Sequence, residues 1–189
     1  LDESPVMIAI EMMTPSLPAA EALVRQYLSV PGPAQAELRF AYARNLLGAL
    51  RYPEALTQLQ IVTRDKPDFA QGWLVLGSLQ LQEKQAVPAE AAFKRYLSLA
   101  EKQPASADRD RALAQAFLAL SQIAEKRQAF AEAESWLKRI DSPEVLVQAQ
   151  SRRAALLARQ GQLQAGIALI RELPERKDDD ARNKLFAEV

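Results

Sequence analysis

The stretch "QGWLVLGSLQLQEKQAVPAEAAFKRYLSL" (residues 71–99) decides the fold of this 189-residue chain. Its apolar residues recur at three- and four-residue spacing on both sides of a short polar break, which predicts two helices joined by a tight turn. Gly77 lies inside the first helix, where a glycine costs roughly 1 kcal/mol relative to alanine. A helix that keeps this glycine must gain a contact that a larger residue would prevent.

The same pattern recurs along the chain with a period of 34 residues. Residues 36–69 align with residues 70–103 without a gap, and further copies begin at Ala114 and near Val147. The positions equivalent to Gly77 hold the small residues Ala43, Ser121 and Ala154. The positions equivalent to Ala89 hold Ala20, Ala55, Ala133 and Gly166. Small residues at matched positions let successive helices approach closely, so that burial of apolar surface offsets the local cost. We therefore predict a packing role for Gly77 rather than a flexible hinge.

One copy carries a tryptophan, a leucine–glycine pair, an alanine in the second helix and an aromatic residue four positions later: Trp73, Leu76, Gly77, Ala89 and Phe93. Pro67 closes the preceding copy. With these residues the chain resembles the tetratricopeptide repeat (TPR) family. The resemblance covers essentially the whole chain and weakens in the fourth copy, where Gln150 and Arg153 replace the expected tryptophan and leucine. It implies an all-α fold, a right-handed α-solenoid of antiparallel helix pairs that winds into a superhelix.

The repeats predict one array over residues 1–189. Its copies are expected at about 1–35, 36–69, 70–103, 114–146 and 147–180, followed by the start of a further helix at 181–189. The helix pairs are expected at about 5–13 with 17–29, 36–49 with 53–65, 70–83 with 88–101, 108–126 with 130–140, and 144–159 with 163–173. Because the last residues lack the polar outer face of a terminal repeat, we expect the chain to be a fragment. The alanine-, glutamine- and arginine-rich composition of the repeats indicates a bacterial protein.

The period breaks once, at an insertion of ten residues over 104–113. This insertion is either a linker between two domains or an extension of the next helix. Residues Ala107 to Lys126 contain no glycine or proline. We therefore prefer a first helix that is lengthened by about two turns and starts at Asp108.

The composition leaves catalysis few side chains. The chain has no histidine and no cysteine, which removes the commonest general base, the commonest zinc ligand and thiolate chemistry. Glu132 and Glu134 point to different sides of their helix, and the aspartates at 178–180 precede a helix whose N-terminus they favour. No phosphate-binding loop, nucleophile motif or metal-ligand spacing is present. We predict no enzyme activity and no catalytic, cofactor-binding or metal site.

The charges do not indicate a nucleic-acid partner. Twenty-four basic residues balance 24 acidic residues, so no net field attracts a polyanion. Arg152, Arg153 and Arg159 cluster on one helix, and we interpret them as a solvated or ion-paired face rather than a phosphate site. No apolar run approaches the roughly 18 residues that span a bilayer. The expected partner is another protein or a peptide segment.

The resemblance places the candidate binding site on the first helices, which line the inner curve of such a solenoid. The predicted groove consists of first-helix residues that the core does not use: Phe40, Arg44, Leu74, Ser78, Leu81, Leu118, Gln122 and Arg152. The alternative is that neighbouring repeats bury the apolar members of this set. Family members that clamp a carboxy-terminal carboxylate use lysine, asparagine and arginine here. This chain has Phe40, Leu74 and Leu118 at the key positions, so we do not expect that specificity.

Two functions follow from this organisation. The first is a non-enzymatic scaffold that holds a partner polypeptide in its concave groove. The alanine-, glutamine- and arginine-rich repeats favour a role in bacterial envelope assembly or secretion, and hence the periplasm or envelope slightly over the cytoplasm. The alternative is a regulatory or substrate-docking arm of a larger enzyme or transcription regulator. Self-association through unpaired array ends is compatible with either function.

Overall fold

The computed structural model describes residues 18–29 and 35–173, and all regular secondary structure in these ranges is helical. The helices are α1 (Pro18–Tyr27), α2 (Ala36–Gly48), α3 (Tyr52–Asp65), α4 (Ala70–Gln82), α5 (Ala86–Ala100), α6 (Ala107–Lys126), α7 (Phe130–Leu137), α8 (Pro143–Arg159) and α9 (Leu163–Arg171). Each lies within a few residues of its predicted position. The expected helices at 5–13 and 181–189 fall outside the described residues. None of the described helices has the length and hydropathy that a membrane crossing requires.

The chain forms two compact units. The first unit contains the described residues up to Ala112, and the second contains those from Leu113 onward. The boundary falls inside α6, which has 20 residues where α2 and α4 have 13 each. The insertion at 104–113 therefore lengthens a helix, as the sequence predicts. The continuity of one repeat array across both units stays a prediction.

The core of the first unit forms where the apolar stripes of α1 to α5 meet. Its members are almost fully buried, and they include Val24, Leu28, Leu38, Tyr42, Leu46, Leu59, Val62, Leu76, Leu79 and Ala92. Helices α2 and α3 pack closely, as do α4 and α5. Each pair is joined by a turn of three residues, 49–51 and 83–85. A connection this short makes the two helices of a pair antiparallel.

The turn inside each pair contains one residue in the left-handed backbone conformation. These residues are Leu50 (φ 59°), Lys84 (φ 61°), Gln128 (φ 62°) and Gly161 (φ 78°). The next amide donates back across the turn to a free helical carbonyl, with N···O distances of 2.9 Å for Arg51 to Leu46 and 2.8 Å for Gln162 to Leu157. This is the Schellman cap that ends many helices. Three of the four turns form this cap without glycine, although the left-handed conformation costs a non-glycine residue roughly 1–2 kcal/mol.

Gly77 has the packing role that the sequence predicts. A Cβ atom there would lie 3.2 Å from two ring carbons of Phe93 and 3.3 Å from the Cβ atom of Ala92. The nearest atoms belong to the second helix of the pair, but not to Ala89, the small residue expected opposite. The missing side chain therefore makes room for an aromatic ring.

The expected approach of two small residues occurs in the second unit, between α8 and α9. A Cβ atom on Gly166 would lie 2.8 Å from the backbone oxygen of Ala154. These two residues occupy the positions equivalent to Ala89 and Gly77. Because the obstacle is backbone rather than a mobile side chain, α9 cannot accept a larger residue at 166 without moving away from α8.

We expect Gly166→Ala to destabilise the protein by about 1–3 kcal/mol, because the added methyl group forces the two backbones apart. Gly48→Ala is the matched control. Gly48 is also helical, but a Cβ atom there meets nothing within 4 Å, so this variant should gain up to about 1 kcal/mol of helix propensity. Urea unfolding followed by circular dichroism measures both. Equal effects of the two substitutions would contradict the backbone contact.

The turn residues give a second prediction. Leu50 is 70% exposed, so Leu50→Gly removes little packing and relieves the left-handed backbone, and it should stabilise the protein by about 1 kcal/mol. Gly161→Ala should have the opposite effect by a similar amount. No atom lies within 4 Å of a Cβ atom on Gly161, so the change in stability caused by Gly161→Ala reports the backbone strain alone. Thermal unfolding of both variants checks the signs, and a lower melting temperature for Leu50→Gly would refute the proposed strain.

Candidate functional site

The first unit contains a cleft of about 470 Å³. Helices α2 and α4 supply much of its wall, and α5, the loop before α6 and the first turns of α6 supply the rest. The lining residues are Phe40, Arg44, Ala70, Gln71, Leu74, Val75, Tyr96, Gln103, Ser106, Asp108, Arg109 and Ala112. All of them belong to the first unit.

The repeat period explains why one wall of the cleft is apolar. Phe40 and Leu74 are 34 residues apart, so they occupy equivalent positions on the first helices of successive repeats. Phe40 is only 7% exposed and packs edge-on against Phe69, with ring centroids 5.1 Å apart and an interplanar angle of 88°. Leu74 and Val75 are half-buried. Phe40 thus serves the core as well as the wall, whereas Leu74 keeps part of its surface open.

Arg44 is the exposed cation of this cleft. It lies one turn after Phe40 on α2, so the two side chains share a helix face. Arg44 forms no ion pair or hydrogen bond with any residue in the described ranges 18–29 and 35–173. Its guanidinium group therefore keeps its full set of donors for solvent or a ligand.

The opposite wall is fixed by hydrogen bonds around the start of α6. The Arg109 Nε atom donates to the backbone oxygen of Ala100 at 2.9 Å, and its Nη1 atom pairs with Asp110 Oδ1 at 3.4 Å. The backbone amide of Arg109 donates to Ser106 Oγ at 3.2 Å, so Ser106 caps the helix. Asp108 pairs with Arg111 at 3.6 Å. These contacts hold the insertion against the end of α5.

Tyr96 of α5 also lines the cleft, although it is only 4% exposed. Burial raises the pKa of its hydroxyl, and the nearby Arg109 charge opposes this shift. The hydroxyl is therefore protonated at neutral pH and available as a donor. Within the described part of the chain it has no hydrogen-bond partner.

The structure brings three of the predicted groove residues together in this cleft: Phe40, Arg44 and Leu74. Ser78 and Leu81 lie further along α4, both are half-buried, and neither lines the cleft. The Ser78 hydroxyl donates to the backbone oxygen of Leu74 at 2.9 Å.

The other predicted groove residues, Leu118, Gln122 and Arg152, belong to the second unit and are half-buried on α6 and α8. The Arg152 Nη2 atom donates to Glu125 Oε2 at 3.3 Å, and Arg159 pairs with the same carboxylate. Arg153 pairs with Glu134 at 3.4 Å. The arginine cluster is therefore ion-paired, in agreement with its interpretation from the sequence.

Sequence reasoning missed the residues that close the cleft. Tyr96 matches Tyr27 when residues 17–30 are aligned with 87–99, and a position that repeats in this way carries no signal for a cavity. Arg109 and Ser106 lie in the insertion, which has no counterpart in the other copies. Within the described residues, no group of three or more acidic, cysteine or histidine side chains is arranged to hold a metal ion.

A second polar cluster joins α1 to the α2–α3 pair. One Glu21 carboxylate oxygen accepts hydrogen bonds from Arg51 Nη2 and Arg25 Nη2 at 2.7 Å and from the Tyr42 hydroxyl at 2.9 Å. Arg25 and Arg51 also pair with Glu54. The hydrogen bond from Arg51 is the main reason that the pKa of Glu21 falls from 4.5 to about 2, and it outweighs the opposing effect of burial.

Comparisons with known proteins agree with this architecture. A crystal structure of MamA superimposes with a TM-score of 0.70, at 13% identity, over 90% of this chain and 90% of that chain. MamA from Desulfovibrio magneticus RS-1 gives a TM-score of 0.58 at 14% identity over 72% of each chain. PilF from Pseudomonas aeruginosa gives 0.63 at 12% identity over 93% of this chain and 77% of that chain. No family model and no curated protein sequence matches the chain.

MamA and PilF are both TPR proteins. The likeness at this level of identity concerns the fold. Over the residues that the structure describes, the fold is all-helical and TPR-like.

The Glu21 cluster predicts acid sensitivity. Because the folded-state pKa of Glu21 is depressed, its carboxylate contributes full stability above about pH 4.5 and loses this contribution as the pH falls towards about 2. Glu21→Gln should therefore lower the melting temperature at pH 7, and the difference from the wild type should shrink between pH 4.5 and 2. Glu37→Gln is the control, since Glu37 is 76% exposed in its pair with Lys66 and should matter little. A difference that does not change with pH would contradict the prediction.

Proposed function

We propose that this chain is a protein-interaction module that holds a segment of another polypeptide in the cleft of the first unit. The observation that carries the proposal is the pairing of an apolar wall with an unpaired cation in one cleft. Leu74 and Val75 offer partly open apolar surface, and Arg44 offers free donors beside them. Binding sites for polypeptide segments combine such apolar anchors with a few polar groups that fix orientation.

The size of the cleft suits part of a peptide rather than a folded domain. A volume of about 470 Å³ lies within the range of ordinary ligand pockets, roughly 300–1,000 Å³. It accommodates a few side chains of a bound segment, while the rest of that segment lies on the adjoining surface. Leu118, Gln122 and Arg152 stay candidates for further contacts in the second unit.

The chemistry of the cleft gives little support to catalysis. Its charged lining consists of Arg44, Asp108 and Arg109, and the last two are engaged in ion pairs with neighbouring residues. A site for acid–base catalysis needs a group whose pKa lies close to the working pH. The lining groups offer a fixed cation, a hydroxyl donor and apolar surface, which suit recognition.

The role in bacterial envelope assembly or secretion is the finer part of this proposal. It derives from the alanine-, glutamine- and arginine-rich composition of the repeats. The fold shared with MamA and PilF is compatible with it.

The proposal predicts that Leu74 contributes to binding and that Leu81 does not. Random twelve-residue peptides are displayed on phage and selected on the immobilised full chain. The dissociation constants of the selected peptides are then measured by fluorescence anisotropy. Leu74→Ser should weaken the selected peptides about tenfold or more, because an apolar anchor loses roughly 1–3 kcal/mol on such truncation.

Leu81→Ser is the matched control. Leu81 lies on the same helix and is also half-buried, but it does not line the cleft. It should leave affinity within about twofold, and circular dichroism melts establish that both variants are folded. Equal loss of affinity in both variants, or retained affinity in a folded Leu74→Ser variant, would exclude this cleft as the binding site.

A further inference from the structure

We infer that the segment bound in this cleft carries an acidic side chain next to an apolar side chain, so that Arg44 and the hydroxyl of Tyr96 hold a carboxylate while Leu74 and Val75 contact the apolar neighbour. This inference rests on the proposed function and adds the chemistry of the partner.

The charges that line the cleft favour an anion. The protein as a whole is neutral, with 24 basic and 24 acidic residues, but the cleft has two guanidinium groups and one carboxylate. That carboxylate, Asp108, is 93% exposed and is paired with Arg111. It therefore lies at the rim and neutralises little of the charge inside.

Arg44 is the charged residue of this cleft that has no ion-pair partner among the described residues. Arg109 is only 19% exposed and donates to Ala100 and Asp110, so its charge is largely offset by the carboxylate of Asp110. Arg44 is exposed and has no such contact among the described residues. An arginine that binds a carboxylate forms charge-assisted hydrogen bonds, which are stronger than those between neutral groups.

Tyr96 supplies a second polar group on the cleft. It is only 4% exposed and lines the cleft, and its hydroxyl has no hydrogen-bond partner in the described ranges. The hydroxyl is not one of the fully enclosed polar atoms that lack a partner there, so water or a ligand in the cleft can accept a hydrogen bond from it. A carboxylate in the cleft would accept from this hydroxyl, whose raised pKa keeps its proton in place.

The apolar wall beside Arg44 gives the acidic residue an apolar neighbour. Phe40 and Leu74 occupy equivalent positions of successive repeats on this wall, and Arg44 lies one turn after Phe40 on α2. A segment whose acidic residue reaches Arg44 therefore places an adjacent side chain on the open part of Leu74.

The peptides selected above test the inference. Each displayed peptide is joined through its carboxyl end to the coat protein, so it offers acidic side chains and no terminal carboxylate. Selection is repeated on the wild type, Arg44→Glu, Tyr96→Phe and the control Arg171→Glu, which changes an exposed arginine of the second unit. Deep sequencing measures the frequency of aspartate and glutamate in each selected pool.

We expect the wild type and Arg171→Glu to enrich acidic residues beside an apolar one, and Arg44→Glu to remove that bias or enrich lysine and arginine instead. Peptides selected on the wild-type protein should bind the Arg44→Glu variant at least about tenfold more weakly than the wild type. They should bind the Tyr96→Phe variant several-fold more weakly. An enriched pool without acidic bias, or a bias that persists in Arg44→Glu, would overturn the inference and leave the binding cleft in place. Absence of enrichment on the wild type would overturn the proposed function itself.

Discussion

The close contact between paired helices, in α2–α3, α4–α5 and α8–α9, is the constraint on which the rest of this structure depends. In α4 and α5 the contact is tight at Gly77, where a Cβ atom would lie 3.2 Å from the ring of Phe93. In α8 and α9 it needs Gly166, because a Cβ atom there would lie only 2.8 Å from the backbone oxygen of Ala154. Each glycine weakens its own helix by roughly 1 kcal/mol. The helices accept this because interior packing has almost no free volume into which a neighbour could withdraw.

The turn inside each pair is the second requirement of this packing. A helix pair closes at this short distance only if the first helix ends abruptly, and the left-handed residue of the Schellman cap provides that end. Leu50 and Lys84 adopt this conformation 34 residues apart, in step with the repeat. The geometry is therefore imposed by the pair and not by the residue type, since Gly161 is the one glycine among these turns in the described part of the chain.

The candidate cleft arises where the regular repeat meets its one irregularity. Helices α2 and α4 bring equivalent positions, Phe40 and Leu74, onto one wall, as a repeat must. The insertion then adds the Ser106 cap and the side chain of Arg109, which bonds to the end of α5 and closes the cleft. The regular part supplies the apolar surface and the unpaired Arg44, and the irregular part supplies the ion-paired Arg109 and Asp108 and the shape of the opposite side. Such a combination distinguishes one site from the similar surfaces that every repeat presents.

The sequence by itself determined the helices, their pairing, the lengthened α6 and the need for a small residue at 77. It could do so because helical periodicity and the cost of an interior glycine are local properties, and both recur with the repeat. It also determined that Phe40, Arg44 and Leu74 share a face. Only the tertiary structure decided that Phe40 is buried against Phe69 while Arg44 is left unpaired, and that Gly77 meets Phe93 rather than Ala89. It alone placed Tyr96 and Arg109 in the cleft. These contacts depend on how far neighbouring helices rotate and slide when side chains of different volume pack, and no pattern along one helix records that displacement.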